Sequence, residues 1–340
     1  MTRNASSPST WVSYPPADST PVDSSPMPAL VSSDPLIPTL FHEPWWLDIA
    51  TGGRYDVAEV VDGGKIVGRL PYYTQKMFGL SIVSLPPLTH FLGPAVTDCH
   101  GKPNTQFLRR LDITNRLIGQ IPDVSSFYVK CHRDVTDVLA FQGAGFRAGV
   151  QFTHEIHPQP IEIVWKSLRD KARNHIGAAR KKYSVTAGTD PDLFMQFYAW
   201  CVEKSKEESN HKDVHIHTEL IRACLERGRG KIYEARERDG RLAAAIFCAW
   251  DNVSSYYLMT SRAPAAHGSS TSLLVWEAIS DAVERNLIFD FDGIVSEGGA
   301  RSANHFAPTL APRYTAIRDS ASTQILRAVK AVVKRPNFYY

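Results

Sequence analysis

The sequence predicts an α+β fold made of two similar units, each with a mixed, mostly antiparallel sheet flanked by helices. Two hairpin patterns carry this prediction, because strand-like segments flank Asp62-Gly63-Gly64 and, later, Asp239-Gly240. A helical pattern and a short apolar strand follow each hairpin in the same order, at a spacing of about 175 residues. Self-similarity at this spacing indicates two copies of one unit rather than a short-period solenoid.

The predicted elements follow from alternation and periodicity along the chain. In the first unit they are strands 54–61 and 65–73, helix 107–120 and strand 126–131. In the second unit they are strands 231–237, 241–250 and 254–260, helix 271–285 and strand 287–291.

Composition sets the predicted domain boundaries. Residues 1–38 hold eight of the 22 prolines, many serines and few charges, so we predict a disordered tail. The first unit is assigned to residues 39–158 and the second to 159–318, with the join in the proline-spaced segment 157–160. Residues 319–340 form a predicted basic amphipathic helix, for which packing on the domain and contact with an anionic membrane are both open.

Charge and cysteine content exclude several classes of function. The net charge of +3 is too small to argue for nucleic-acid binding on electrostatics alone. The five cysteines include no CxxC pair, which favours reduced thiols over a disulfide framework or a zinc site. The histidines of the segment 211–217 lack a further ligand, and no metal is expected. Without a membrane-length apolar run or a signal-like start, the prediction is a cytoplasmic protein, with a peripheral position at the inner membrane face as an option.

One dense basic segment, 164–185, lies between the two units. Its apolar residues recur at helical spacing, and it carries seven lysines and arginines against one aspartate. Arg173 and Asn174 combine a guanidinium fork with an amide, which suits the recognition of phosphate or carboxylate. The alternative is a solvated helix face.

A second candidate anion site is the loop 262–270, which leads into the helix predicted from Thr271. Its residues are small, and a helix start offers free backbone N–H groups and a partial positive charge. The alternative is an ordinary capped helix that begins with Ser or Thr.

The segment LLVWEAISDAVERNLIFDFDG resembles the GNAT acyltransferase superfamily, and most closely its Fem-like branch. That branch includes the peptidoglycan-bridge aminoacyltransferases and the BioF2-like acetyltransferase domains. The basic stretch KARNHIGAARKKYSV is similar to an Arg/Asn/Lys-rich stretch of the same branch, and the likeness extends over roughly residues 40–318.

The resemblance implies an N-acyltransferase that uses acyl-CoA, with acetyl-CoA preferred, and acts on an amino group of a cell-envelope precursor or polysaccharide sugar. The donor would be held by His267, Gly268, Ser269, Ser270 and Thr271, and backbone N–H groups of strand 254–260 would polarise its carbonyl. The implied catalytic residues are Asp290, Asp292, His305 and Tyr257. The implied acceptor-binding residues are Tyr72, Lys76, Arg173 and Asn174.

The chain also departs from the family pattern. The acetyl-CoA signature is not met around Gly268, Asp292 replaces a glycine, and Ala307 follows Phe306 where relatives carry lysine. Two alternatives therefore stay open: an aminoacyl-tRNA-dependent Fem-type transferase, the only setting in which a nucleic acid is an expected partner, and a catalytically silent binding module.

Overall fold

A computed structural model of the chain describes residues 34–77, 79–97, 100–205, 213–291, 297–321 and 323–324. The strands in this part of the chain are β1 (Asp56–Asp62), β2 (Lys65–Met77), β3 (Leu80–Ser84), β4 (Ala95–Val96), β5 (Ser126–Lys130), β6 (Arg147–Ile156), β7 (Ser184–Gly188), β8 (Gly230–Arg236), β9 (Leu242–Trp250), β10 (Ser254–Arg262), β11 (Ile288–Asp290) and β12 (Thr309–Asp319).

The helices in the same residues are α1 (Pro44–Thr51), α2 (Pro103–Ile118), α3 (Leu139–Gly143), α4 (Ile161–Ser167), α5 (Asp170–Lys182), α6 (Pro191–Ser205), α7 (Val214–Glu226), α8 (Ser269–Glu284) and α9 (Glu297–Ala303). Short 3₁₀ turns at Leu40–His42 and Asn304–Phe306 complete them. The predicted α+β class with mixed, mostly antiparallel pairing is confirmed.

All the described strands join one sheet. Its order is β1-β2-β3-β5-β12-β6-β11-β10-β9-β8-β7, with β4 paired to β2 outside this path. Neighbouring strands are antiparallel except in two places, where β3 pairs with β5 and β10 pairs with β11 in parallel. Each parallel pair is connected by a helix, α2 in the first half and α8 in the second, so the pairings repeat as the sequence pattern predicted.

The centre of the sheet is a ribbon of β6 and β12 that connects the two halves. β6 precedes the predicted join but pairs with β11 of the second half, while β12, near the end of the described chain, pairs with β5 of the first. The two strands also pair with each other along nine residue pairs. The halves thus exchange their last strands, a feature that the sequence pattern did not predict.

Two apolar clusters cover the sheet. The first combines the first half with α6 and α7 of the second, and Phe41 contacts Tyr256 of β10 with ring centroids 4.9 Å apart. The second lies beneath α4, α5 and α8 and includes Ile156, Trp276 and Phe289. Because the first cluster draws on both halves, their separation would expose buried apolar surface, which opposes it.

The described chain begins inside the predicted disordered tail. Leu36 is buried, and Asp34 forms an ion pair with Arg69 at 3.0 Å. Further on, Glu43 forms a 2.6 Å ion pair with Arg229 of the second half. Residues 34–38 therefore belong to the folded part of the chain, whereas the other domain boundaries stay predictions.

Packing of α2 on β2 depends on Gly68. A Cβ atom at this position would lie 2.5 Å from Cγ2 of Ile113, which is buried in α2. We expect Gly68→Ala to lower the free energy of unfolding by about 1–3 kcal/mol, because the core has to shift to accept the methyl group. Chemical denaturation would measure this loss. Gly143→Ala is the matched control, since a Cβ there meets no atom within 4 Å; an equal loss in both variants would contradict the packing argument.

Candidate functional site

A splay between β10 and β11 opens the sheet in the second half. Among the described residues the two strands pair only from Ser254 to Tyr256, opposite Ile288 to Asp290, although β10 continues to Arg262. Phe291, which follows β11, stays next to β6, because its N–H donates to the carbonyl of His154 at 2.9 Å. A bulge between Tyr257 and Met259 also shifts the register of β10 against β9. Backbone groups of β10 can therefore face a ligand in the splay rather than a neighbouring strand.

The N-terminus of α8 follows directly from β10. Gly268 occupies the N-cap position, no side chain caps the helix from there, and a Cβ on Gly268 would meet open space. The N–H of Ser270 donates to the carbonyl of His267, and that of Ser269 to the ring of His267. The N–H groups of Gly268 and Thr271 have no partner among the described residues. The five residues predicted to hold the donor thus lie together at one helix start, where His267 and Gly268 are exposed and Ser269 and Ser270 are buried.

His267 is oriented by this loop. Its Nδ1 accepts the N–H of Ser269 at 3.1 Å and lies 2.9 Å from Oγ of the same residue. With Nδ1 accepting, the hydrogen of the neutral ring is on Nε2, on the far side from the loop. The ring stands 5.9 Å from that of His175 on α5. His267 therefore connects the helix start to the basic helix.

Basic residues of α5 and of the segment before it lie near His267 and His305: His175 contacts His267, and Arg169 and Lys171, which we call the cationic rim, lie near His305. The N–H of Arg169 donates to the carbonyl of His305 at 3.1 Å. Burial, and then the positive charges of Lys171, Arg169 and His175, lower the pKa of His305. Sequence reasoning predicted a role for His305 but missed the other three, whose signal was only their place in the basic segment.

Asp290 lies in a buried ionic network rather than at the solvent-facing site. Its carboxylate accepts a hydrogen bond from Thr153 at 2.6 Å and another from Arg313 at 2.8 Å. Glu155 is paired to the same Arg313 and, at 3.0 Å, to Arg133. Asp290 is fully buried. A carboxylate held in this way has the contacts of a structural anchor, and the catalytic role of Asp290 stays a prediction.

Of the other three predicted catalytic residues, the structure describes Tyr257 and His305 but not Asp292. The ring of Tyr257 stands 6.1 Å from that of Phe291, at the start of the splay, and burial raises the pKa of its phenol. His305 adjoins Phe306, whose ring is 5.9 Å from Phe291. Asp292 lies outside the described residues. Tyr257 and His305 therefore stay candidates at the splay.

Arg173 and Asn174 are on α5, as the basic segment predicted. The side chain of Arg173 forms hydrogen bonds within the protein, whereas that of Asn174 is exposed. The guanidinium of Arg173 donates to the carbonyls of Lys166 and Leu168 at the end of α4 and pairs with Asp170. Arg173 thus stabilises the α4–α5 junction, and the acceptor-binding role of both residues stays a prediction.

Tyr72 and Lys76 lie on β2, far from the splay. Six strand-to-strand steps separate β2 from β10 in the sheet, roughly 29 Å along the sheet at about 4.8 Å per step. Lys76 is exposed, and Tyr72 is half-buried. The structure does not bring these two residues to the α8 start, so their predicted role in acceptor binding requires an acceptor that spans the sheet.

Two searches of the described residues are negative. They contain no group of three or more His, Cys, Asp or Glu side chains that could hold a metal ion. They also contain no helix with the length and apolar character needed to cross a bilayer.

Comparisons with known proteins agree with this geometry. Residues 166–300 match the family model of the acetyltransferase (GNAT) domain. The match covers less than half of the chain, so residues 166–300 are similar to a GNAT domain. This domain contains α5, the splay and the α8 start, and the match supports an acyltransferase. No curated protein sequence matches the chain.

Solved structures show the extent of the fold. FemX superposes with a TM-score of 0.62 at 12% identity, covering 83% of this chain and 93% of FemX. The C-terminal domain of a putative lysylphosphatidylglycerol synthetase from Agrobacterium fabrum gives 0.52 at 12% identity, covering 84% and 90%. L-PGS from Bacillus licheniformis gives 0.50 at 11% identity, covering 85% and 92%. At these identities the likeness shows the fold alone.

The ionic network offers a direct test of the role of Asp290. We expect Asp290→Asn to lower the free energy of unfolding by about 3 kcal/mol, because the buried guanidinium of Arg313 loses part of its counter-charge. Denaturant titration measures this change. Asp192→Asn is the matched control, since its ion pair with Arg222 is on the surface and is worth at most about 1 kcal/mol. An unchanged stability of Asp290→Asn would contradict the anchor role.

Proposed function

We propose that the protein is an N-acyltransferase that moves an acyl group from acyl-CoA to an amine of a cell-envelope molecule. The observation that carries the proposal is the position of the β10–β11 splay directly before the uncapped start of α8. A carrier bound there would have its phosphates at the helix start and its acyl group between the strands.

Electrostatics at the helix start favour a phosphate-bearing donor. The free N–H groups of Gly268 and Thr271 and the positive end of the α8 dipole attract anions. Nε2–H of His267 adds a further hydrogen-bond donor, and the cationic rim adds positive charge. The open space at Gly268 lets a pyrophosphate approach the backbone.

The proposed reaction needs no covalent enzyme intermediate. The amine nitrogen attacks the carbonyl carbon of the thioester, forming a C–N bond while the C–S bond breaks. The amine gives up one proton, and the departing thiolate gains one to become the free thiol of CoA. A backbone N–H of the bulged part of β10 would stabilise the oxyanion, and the splay would hold the reacting atoms together.

His305 is our candidate for the proton transfer. Its lowered pKa keeps the ring neutral near pH 7, so that it is able to accept a proton. Its neighbour Phe306 contacts Phe291, which follows β11, and this closeness to the splay supports the choice of His305. Tyr257, with its raised pKa, stays protonated and could only donate a hydrogen bond.

A second candidate function is aminoacyl transfer from aminoacyl-tRNA. The observation that favours it is the exposed basic surface of α5, with Lys171, Arg180, Lys181 and Lys182. Surfaces of this kind bind nucleic-acid phosphates. The Fem-like fold also fits such a reaction, which makes the donor the main question for experiment.

The acceptor class is inferred from the fold neighbours. One of the structures that share the fold is, by its title, a putative lysylphosphatidylglycerol synthetase, and another is named FemX. From the lipid product in the first title we carry over a cell-envelope acceptor, and the amino group of that acceptor is taken from the resemblance stated for the sequence.

Donor binding can be tested by thermal shift. Acetyl-CoA at about 100 times its Kd would stabilise the protein by about 2.7 kcal/mol, a rise of several degrees in Tm. Gly268→Asp should remove most of this rise, because its carboxylate would repel the phosphates while the helix start still tolerates an acid. Gly143→Asp, also at an open glycine, is the control and should keep the rise.

The same assay separates the two donors. If no acyl-CoA shifts Tm but aminoacyl-tRNA does, the acyl-CoA proposal is wrong and the second candidate stands. A shift that persists in Gly268→Asp would show that the donor binds elsewhere.

A further inference from the structure

An uncovered apolar surface lies on one face of the β6–β12 ribbon. Phe152 is 57% exposed, Leu310 64% and Val150 48%. The register pairs Val150 with Tyr314, Phe152 with Pro312 and His154 with Leu310, so these side chains share one face. We call Val150, Phe152, Leu310, Pro312 and Tyr314 the apolar strip.

The apolar strip lies between covered parts of the sheet. Towards the first half, Ala148 and Ala316 on the same face pack in the first apolar cluster. Towards the second half, Ile156 is buried in the cluster beneath α8. The apolar strip is therefore an exposed part of the sheet that lies between two packed parts.

One end of the strip reaches the splay. His154, opposite Leu310, is joined to Phe291 by the 2.9 Å backbone hydrogen bond, and Phe291 contacts Tyr257 of β10. Across the sheet, Tyr257, Phe291, His154 and Leu310 thus follow one another from the splay to the strip. A molecule on the strip would have one end at the reacting atoms.

His154 gives this end a polar but uncharged group. Burial lowers the pKa of its ring, which is therefore neutral near pH 7. Its Nδ1 is buried without a hydrogen-bond partner among the described residues. A neutral imidazole at the end of the strip allows an amine to approach without like-charge repulsion.

The size of the strip decides between possible occupants. Five partly exposed side chains offer on the order of a few hundred Å², the range of functional patches on monomers. A stable interface with a second copy needs about 800 Å² from each partner. A bare sugar has little apolar surface to place on phenylalanine, leucine and valine. A hydrocarbon chain fits both the size and the chemistry.

We propose that the acceptor is an amphiphilic amine whose hydrocarbon chain lies on the apolar strip and whose amino group reaches the splay beside His154. This inference rests on the proposed acyl transfer and narrows its acceptor class. The acceptor that we propose is therefore an amine with an alkyl chain and not a polar sugar.

The test uses n-alkylamines from propylamine to dodecylamine, below their micelle concentrations, with acetyl-CoA as donor and thiol release as readout. If the strip binds the chain, kcat/KM rises by about two- to fourfold for each added methylene until the strip is filled, as expected for burial of CH₂ groups. A kcat/KM that does not depend on chain length would overturn the proposal without any variant.

Variants locate the effect on the strip. Phe152→Ser combined with Leu310→Ser should lower the ratio of decylamine to propylamine kcat/KM by more than tenfold. Leu108→Ser removes an equally exposed leucine, 60% exposed on α2, and should leave that ratio unchanged. If the ratio of decylamine to propylamine kcat/KM falls equally in the two proteins, or falls in neither, the hydrocarbon chain does not bind on the apolar strip.

Two further measurements distinguish binding of the hydrocarbon chain from a failure of the proposed donor and from a dimer interface. Calorimetric binding of decylamine without donor, lost in the double variant, would support the strip even if acyl-CoA fails to shift Tm. If light scattering shows a wild-type dimer that the double variant converts to a monomer, the strip is an interface between copies and the proposal is wrong.

Discussion

The buried charges at the crossing of β6, β11 and β12 hold this molecule together. Asp290 and Glu155 supply two carboxylates, and Arg133 and Arg313 two guanidiniums, within one desolvated cluster. The four residues come from the segment after β5, from β6, from β11 and from β12, so the cluster fixes the register in which the halves meet. Matched charges are tolerable in such a place only when all are present, because any one left alone is costly to bury.

That constraint also positions the splay. Asp290 is the last residue of β11 and is fixed by Arg313 of β12, while β10 continues paired to β9 but without a described partner on the β11 side. The parting of the two strands is thus set by where β11 is anchored. The open backbone near Gly268 then stands at the end of β10, one short loop away.

How far the sequence could predict this arrangement depends on the range of the interactions. Local signals were sufficient for the hairpins around Gly63 and Gly240, for α8 and for the strand before Asp290, since turns and periodicity act over a few residues. The exchange of β6 and β12 was missed, because pairing between Thr309 and Glu155 leaves no mark within either segment. The buried partners of Asp290 were not predicted for the same reason: a carboxylate looks alike in sequence whether a distant arginine such as Arg313 neutralises it or a ligand does. Phe152 and Leu310 lie in none of the predicted elements, and only the register of β6 against β12 shows them on one face.

The exchanged strands also impose an order on folding during synthesis. β5 cannot obtain its neighbour on one side until β12, which begins at Thr309, has been made. Until then β5 and β6 present open edges, which are prone to pair with other chains. The first half of this polypeptide thus lacks one neighbour of β5 until Thr309–Asp319 has been synthesised.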